Sequence, residues 1–366
     1  MRLLKFLPLL FILLDACVER FDTPVVYASA RIVVDGLITN KPGPYEVKLF
    51  YTSSLDENLE TASPVTNATV KILDDLGNEE VLSETEKGKY ETSSTHGVVG
   101  RRYKLYFQTA DGREYESTEQ EMLPAGEVDN LYAEFAEHII NKDDLSKPQD
   151  VFRIYFDSKG SESGQNLYRW RWSGTFEANT FPQYRRKPFM GGPVWVPDPL
   201  KCSGHIARDT FLLVQVGPCE CCTCWVEEYS EQARVSPNEL IATSSFTNVK
   251  IAEIPVEWKK FNSKYYLKLE QLSLSEEMYD FWKKVQAQQE GNANIFQPNV
   301  IRIRGNIKSL TDPDEEVSGV FAVSAVAERA MFIYRSDIPK ILPVDSVFQD
   351  CRIEYPGSTN QRPSFW

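Results

Sequence analysis

Histidine is scarce in this chain of 366 residues: His96, His138 and His205 are all there is. None belongs to an HExxH pair, so zinc-protease chemistry has no ligand set here. A GxSxG elbow, a Walker lysine loop and a GxGxxG turn are also missing. Gly160-Ser161-Glu162-Ser163-Gly164 keeps the glycine frame of the elbow but places glutamate where the nucleophile belongs. The residues therefore predict no catalytic site, no cofactor and no enzyme. Positive charge is short too, with 40 Lys and Arg against 53 Asp and Glu and a formal charge of -13. Such a surface repels a phosphate backbone, which excludes nucleic acid as a partner.

Long apolar runs are lacking as well. Phe6 to Leu14 falls far short of the roughly 20 residues that a membrane-spanning helix needs. Preceded by Arg2 and Lys5, it reads as the h-region of an export signal over residues 1–16. The run ends in Leu14-Asp15-Ala16-Cys17, which resembles the lipobox of bacterial lipoproteins, with Asp15 departing from the usual small or apolar residue. Cys17 is thus the expected lipidation site, and its acyl chains supply the anchoring signals that stable membrane attachment requires. Residues 17–29 follow as a tether, acidic at Glu19 and Asp22. Acids in that place resemble the signal for outward display on the outer membrane of Bacteroidota. The expected location is the outer membrane, lipid-anchored and facing the cell exterior.

Aromatic residues, by contrast, are plentiful: 7 Trp, 17 Tyr and 20 Phe favour strands. The fold class expected is mainly β. A transthyretin/Ig-like β-sandwich over 30–124 precedes a larger β-rich domain over 125–366 with one prominent α-helix. Ile32-Val33-Val34, Tyr45 to Phe50, Ala68 to Leu73 and Arg102 to Phe107 are the first strands, divided by turns such as Asp75-Leu76-Gly77-Asn78. The run Pro64 to Val70, then Asp74 to Asn78 and Gly88-Lys89-Tyr90, is similar to transthyretin-like modules, and the turn spacing suits seven strands. Pro124-Ala125-Gly126 marks the boundary. Val151 to Phe156 and Leu167 to Phe176 read as paired strands, with Tyr168, Trp170 and Trp172 on the buried face. A helix is expected over 274–289, opened by a capping box of Ser273 and Glu276. Val300 to Arg304, Val317 to Val326 and Ala330 to Tyr334 read as an antiparallel tail.

Between them, residues 181–236 have no clear period and form a long Cys-rich excursion; loops of that length are functional or locally stapled. Cys202, Cys219, Cys221, Cys222, Cys224 and Cys351 are an even set in an exported chain, which favours disulfides. The rival reading is a soft-metal site, since four thiols fall within Cys219 to Cys224. The same excursion carries Phe181, Tyr184, Arg185, Arg186, Phe189 and Trp195, a basic-aromatic set suited either to contact with a partner or ligand or to a plain loop.

Several segments together resemble a Bacteroidota lipoprotein family catalogued as domain of unknown function 4249 (DUF4249). They are the lipobox with its acidic tether, Ile32 to Ile38, Ser275 to Trp282, Gly305-Asn306-Ile307, Gly319-Val320-Phe321 and Pro363 to Trp366. The resemblance implies a Cys224–Cys351 bridge. It also implies a TonB-dependent outer-membrane receptor as partner, with this chain as an accessory binding or lid subunit. Two other readings place it as an accessory of outer-membrane assembly or secretion machinery, or as a free-standing glycan-binding adhesin.

Overall fold

The computed structural model describes residues 30–52, 63–140, 148–162, 165–209, 211–237, 245–292 and 303–366. Cys17, the export signal and the tether lie outside them, as do residues 300–302 of the expected tail.

Among the described residues, ten strands form before residue 124: β1 (Ile32–Thr39), β2 (Glu46–Tyr51), β3 (Ser63–Pro64), β4 (Thr69–Asp74), β5 (Glu79–Val81), β6 (Ser83–Glu86), β7 (Lys89–Glu91), β8 (Arg102–Gln108), β9 (Glu114–Ser117) and β10 (Gln120–Glu121). Their apolar residues alternate, so Ile32, Val34 and Ile38 face Tyr103, Leu105 and Phe107 across one core. Fourteen strands follow. In the second body lie β11 (Glu127–Ile139), β12 (Gln149–Lys159) and β13 (Tyr168–Asn179). The excursion holds β14 (Arg186–Pro188), β15 (Trp195–Pro197), β16 (His205–Ala207) and β17 (Leu213–Gln215). Then come β18 (Thr223–Tyr229), β19 (Arg234–Val235), β20 (Ser245–Pro255), β21 (Lys264–Ser273), β22 (Ile307–Ser309), β23 (Ser318–Ser324) and β24 (Val326–Tyr334).

The mainly-β class holds, and the first body is a sandwich of two six-stranded sheets. It is not made by residues 30–124 alone. β22 pairs with β9 and β23 pairs parallel with β1, so the expected antiparallel tail is corrected at β23, while Ala330 to Tyr334 in β24 do pair antiparallel, with β21. The cause is burial: Phe321, Val323 and Ile307 point into the first core and would be exposed on a free tail.

The second body packs the sheet β11-β12-β20 on the sheet β18-β13-β21-β24. β12 and β13 are therefore not paired, as expected from the sequence, but face each other across the core, with Phe156 and Trp170 in edge contact at 5.1 Å. β12 pairs with β11 just before it and with β20, while β13 pairs with β18 and β21 farther along the chain. Tyr168 and Trp170 are buried as expected, and Trp172 is partly so.

Helix α1 (Glu276–Asn292) starts later than the sequence suggests. Ser275, not Ser273, accepts the Met278 N–H at 3.3 Å. Ser273 is still strand, its hydroxyl donating to the Leu123 carbonyl and accepting from the Ala325 N–H at 2.9 Å. Leu274, Met278 and Tyr279 pack on Val320 and Ala322, the outward face of β23, and so glue the two bodies. Glu277 accepts from Thr118 and Gln120 at 2.7 and 2.6 Å. Buried Gln271 spans the junction, accepting from Trp170 Nε1 at 2.8 Å and donating to the Ala125 carbonyl at 2.7 Å. On the other side, Arg169 lies 3.4 Å from the centre of the Trp282 ring, and burial lowers its pKa to about 10.

Candidate functional site

The excursion leaves the second body at the end of β13 and returns as β18, which pairs with that same end: Asn179 lies opposite Thr223. Three disulfides staple it: Cys202–Cys221, Cys219–Cys222 and Cys224–Cys351. The last is the pair that the family resemblance implied. Bonded sulfurs are not thiolates, so the soft-metal reading is set aside for this oxidised form. Among the described residues, one group gathers three ligand-type side chains, Cys202, Cys221 and Asp350, and its two sulfurs are bonded to each other.

Two hairpins spring from this stapled base, β14–β15 and β16–β17. The base is tight. Gly204 has φ +68, and a Cβ there would lie 2.3 Å from the Gly217 carbonyl oxygen, so only glycine fits. The Glu220 N–H donates to the Cys202 carbonyl at 2.8 Å, and the Leu200 N–H to that of Pro182 at 3.2 Å.

The six expected contact residues divide. Phe181 is half-buried, stacked on Tyr184 and tilted against Trp258. Arg185 is tied inward by Asp198, at 2.6 and 3.2 Å, and Lys187 meets the same carboxylate at 3.1 Å. Those two cations hold the Asp198 carboxyl below the usual range. Tyr184 (57% exposed), Arg186, Phe189 and Trp195 (55%) face solvent. Sequence reasoning missed Met190, 91% exposed at the first tip, and Phe211, 69% exposed beside Leu212 at the second. Hairpin tips are ordinarily polar, so large apolar residues outside any periodic run were the available signal. Contiguous exposed apolar groups of this kind mark contact surfaces.

This head stands far from the start of β1. β23 and β24 are one run, Ser318 to Tyr334, interrupted only by Ala325. Val33, near the start of β1, is level with Ser318. At the other end Phe176 is level with Tyr265, and Tyr265 with Ile333. The excursion departs just beyond that level.

A family model described as "Domain of unknown function (DUF4249)" matches residues 18–330. Cys351 and the Pro363 to Trp366 motif fall outside that span. No curated protein matches the chain. The match begins beside Cys17 and runs through both bodies into β24, and on that extent the chain belongs to the DUF4249 family.

Proposed function

We propose that the protein is an outer-membrane lipoprotein, anchored through Cys17 and facing the cell exterior, that serves a TonB-dependent nutrient transporter as an accessory binding or lid subunit. The observation that carries this reading is the placement of the two ends. The described chain enters the first sandwich at the start of β1, and the disulfide-stapled head with its apolar tips lies at the opposite end of the run Ser318 to Tyr334. An anchored chain built this way holds a contact surface away from its own lipid. Basic Arg186, Lys201 and Arg208 sit among the exposed aromatic side chains in a protein of net charge -13, which suits an acidic partner surface.

The experiment is purification of the full chain from its native membrane in mild detergent, with mass spectrometry of what accompanies it. A TonB-dependent β-barrel in stoichiometric amount is the expected result. A lipoprotein that emerges alone, or with an assembly or secretion pore instead, sinks the transporter reading.

A further inference from the structure

Beside the stapled base lies an open cleft of about 400 Å³, lined by Cys219, Glu220, Thr223, Trp225, Arg352 and Asn360. Its walls are fixed covalently and by backbone hydrogen bonds. Cys219 is bonded to Cys222, and Cys224, between Thr223 and Trp225, is bonded to Cys351, next to Arg352. The Trp225 N–H donates to the Thr359 carbonyl at 2.8 Å, and the Thr359 N–H returns a bond at 3.1 Å. Such a cleft needs little ordering when a ligand enters.

The lining offers both hydrogen-bonding senses. Glu220 accepts, Arg352 donates, and the Asn360 amide does both. The Thr223 hydroxyl donates to Asn179 at 2.8 Å and keeps its lone pairs. Arg352 is already neutralised by Asp350 at 2.9 and 3.2 Å, so beside the Glu220 carboxylate the cleft offers an anion no uncompensated cation. Hydroxyl groups, which donate and accept at once, satisfy a mixed wall of this kind, and the Trp225 ring offers an apolar face to ring C–H groups.

We propose that this cleft binds a neutral saccharide, with room for about two pyranose rings. The proposal deepens the accessory-binding reading above and rests on it for its biological setting, but binding itself requires no barrel.

The test is calorimetric titration of the detergent-solubilised full chain with neutral hexasaccharides of α-glucan, β-glucan, mannan, xylan and chitin type. At least one is expected to bind saturably. Asn360→Ala and Trp225→Ala should weaken that binding about tenfold or more, while Leu76→Ser on the first sandwich leaves it unchanged. Asn360 lies on an exposed segment, so its variant stays informative if Trp225→Ala fails to fold. The idea is overturned if no hexasaccharide binds, or if both cleft variants bind as the parent does. A lipoprotein that purifies without a barrel yet binds saccharide overturns the transporter reading and leaves this one standing.

Discussion

The junction of the bodies shows how much one residue can decide. Gly319 has φ +84, and a Cβ built on it would lie 1.9 Å from the Val34 carbonyl oxygen, which belongs to the paired strand β1. Gly305 is as constrained, with its Cβ 1.5 Å from the Gly319 oxygen. Next to it, the buried Asn306 amide acts as a strand partner, donating to the Phe321 carbonyl at 2.8 Å and accepting its N–H at 2.9 Å. Gly319→Ala is therefore expected to cost about 3 kcal/mol or more, since it adds backbone strain to a clash that paired strands resist. Gly77→Ala has the same strain at φ +83 but open space around it, and should cost about 1 kcal/mol. Urea unfolding of the two variants checks this, and equal losses would refute the close-packing account. The sequence displayed Gly305-Asn306-Ile307 and Gly319-Val320-Phe321 only as separate motifs. Their pairing depends on β1 lying between chain ends that no local pattern connects.

Among the elements, the strands of the first sandwich were legible because their apolar residues alternate and their turns are marked by glycine and asparagine. Strand partners were not. The short connection between β12 and β13 looks like a hairpin, yet it crosses from one sheet to the other because Phe156 and Trp170 pack edge to face across the core. The helix start was misplaced for a similar reason, as Ser273 satisfies the local pattern while the β21 ladder with β13 extends through it. The disulfides differ as elements in reach and access. Cys224–Cys351 spans 127 residues with both sulfurs in the core, whereas Cys219–Cys222 spans 3 and is partly exposed. In the chain-entropy model the long bridge contributes about 5 kcal/mol and the short one about 2 kcal/mol. Access also governs exchange, so a mild dithiol should open Cys219–Cys222 first. Timed alkylation with peptide mass mapping reads the order directly. Label on Cys224 or Cys351 ahead of Cys219 would mean that burial does not control reduction here.

At the scale of the molecule, the run Ser318 to Tyr334 sets the distance between the start of β1 and the head. At about 3.3 Å per residue it spans at most roughly 50 Å, and it belongs first to one sandwich and then to the other. Helix α1 and Gln271 lock the two halves, so the head is carried by a stiff body. An apolar tip on such a body has little part in its folding. Met190 and Phe211 are mostly solvent-exposed, and replacing both by serine should change unfolding free energy by no more than about 0.5 kcal/mol. The same replacements should raise solubility, because they remove the most exposed apolar side chains from two hairpin tips. If the head docks on a barrel, they should also strip that barrel from the detergent-purified lipoprotein, while a double serine variant on the first sandwich, Leu76→Ser with Val81→Ser, keeps it. Those two control residues are comparably exposed, at 72% and 55%, so loss of generic hydrophobicity is matched between the pairs. Equal retention of the barrel by both variants would move the contact surface away from the head, and equal loss would reduce it to nonspecific adhesion.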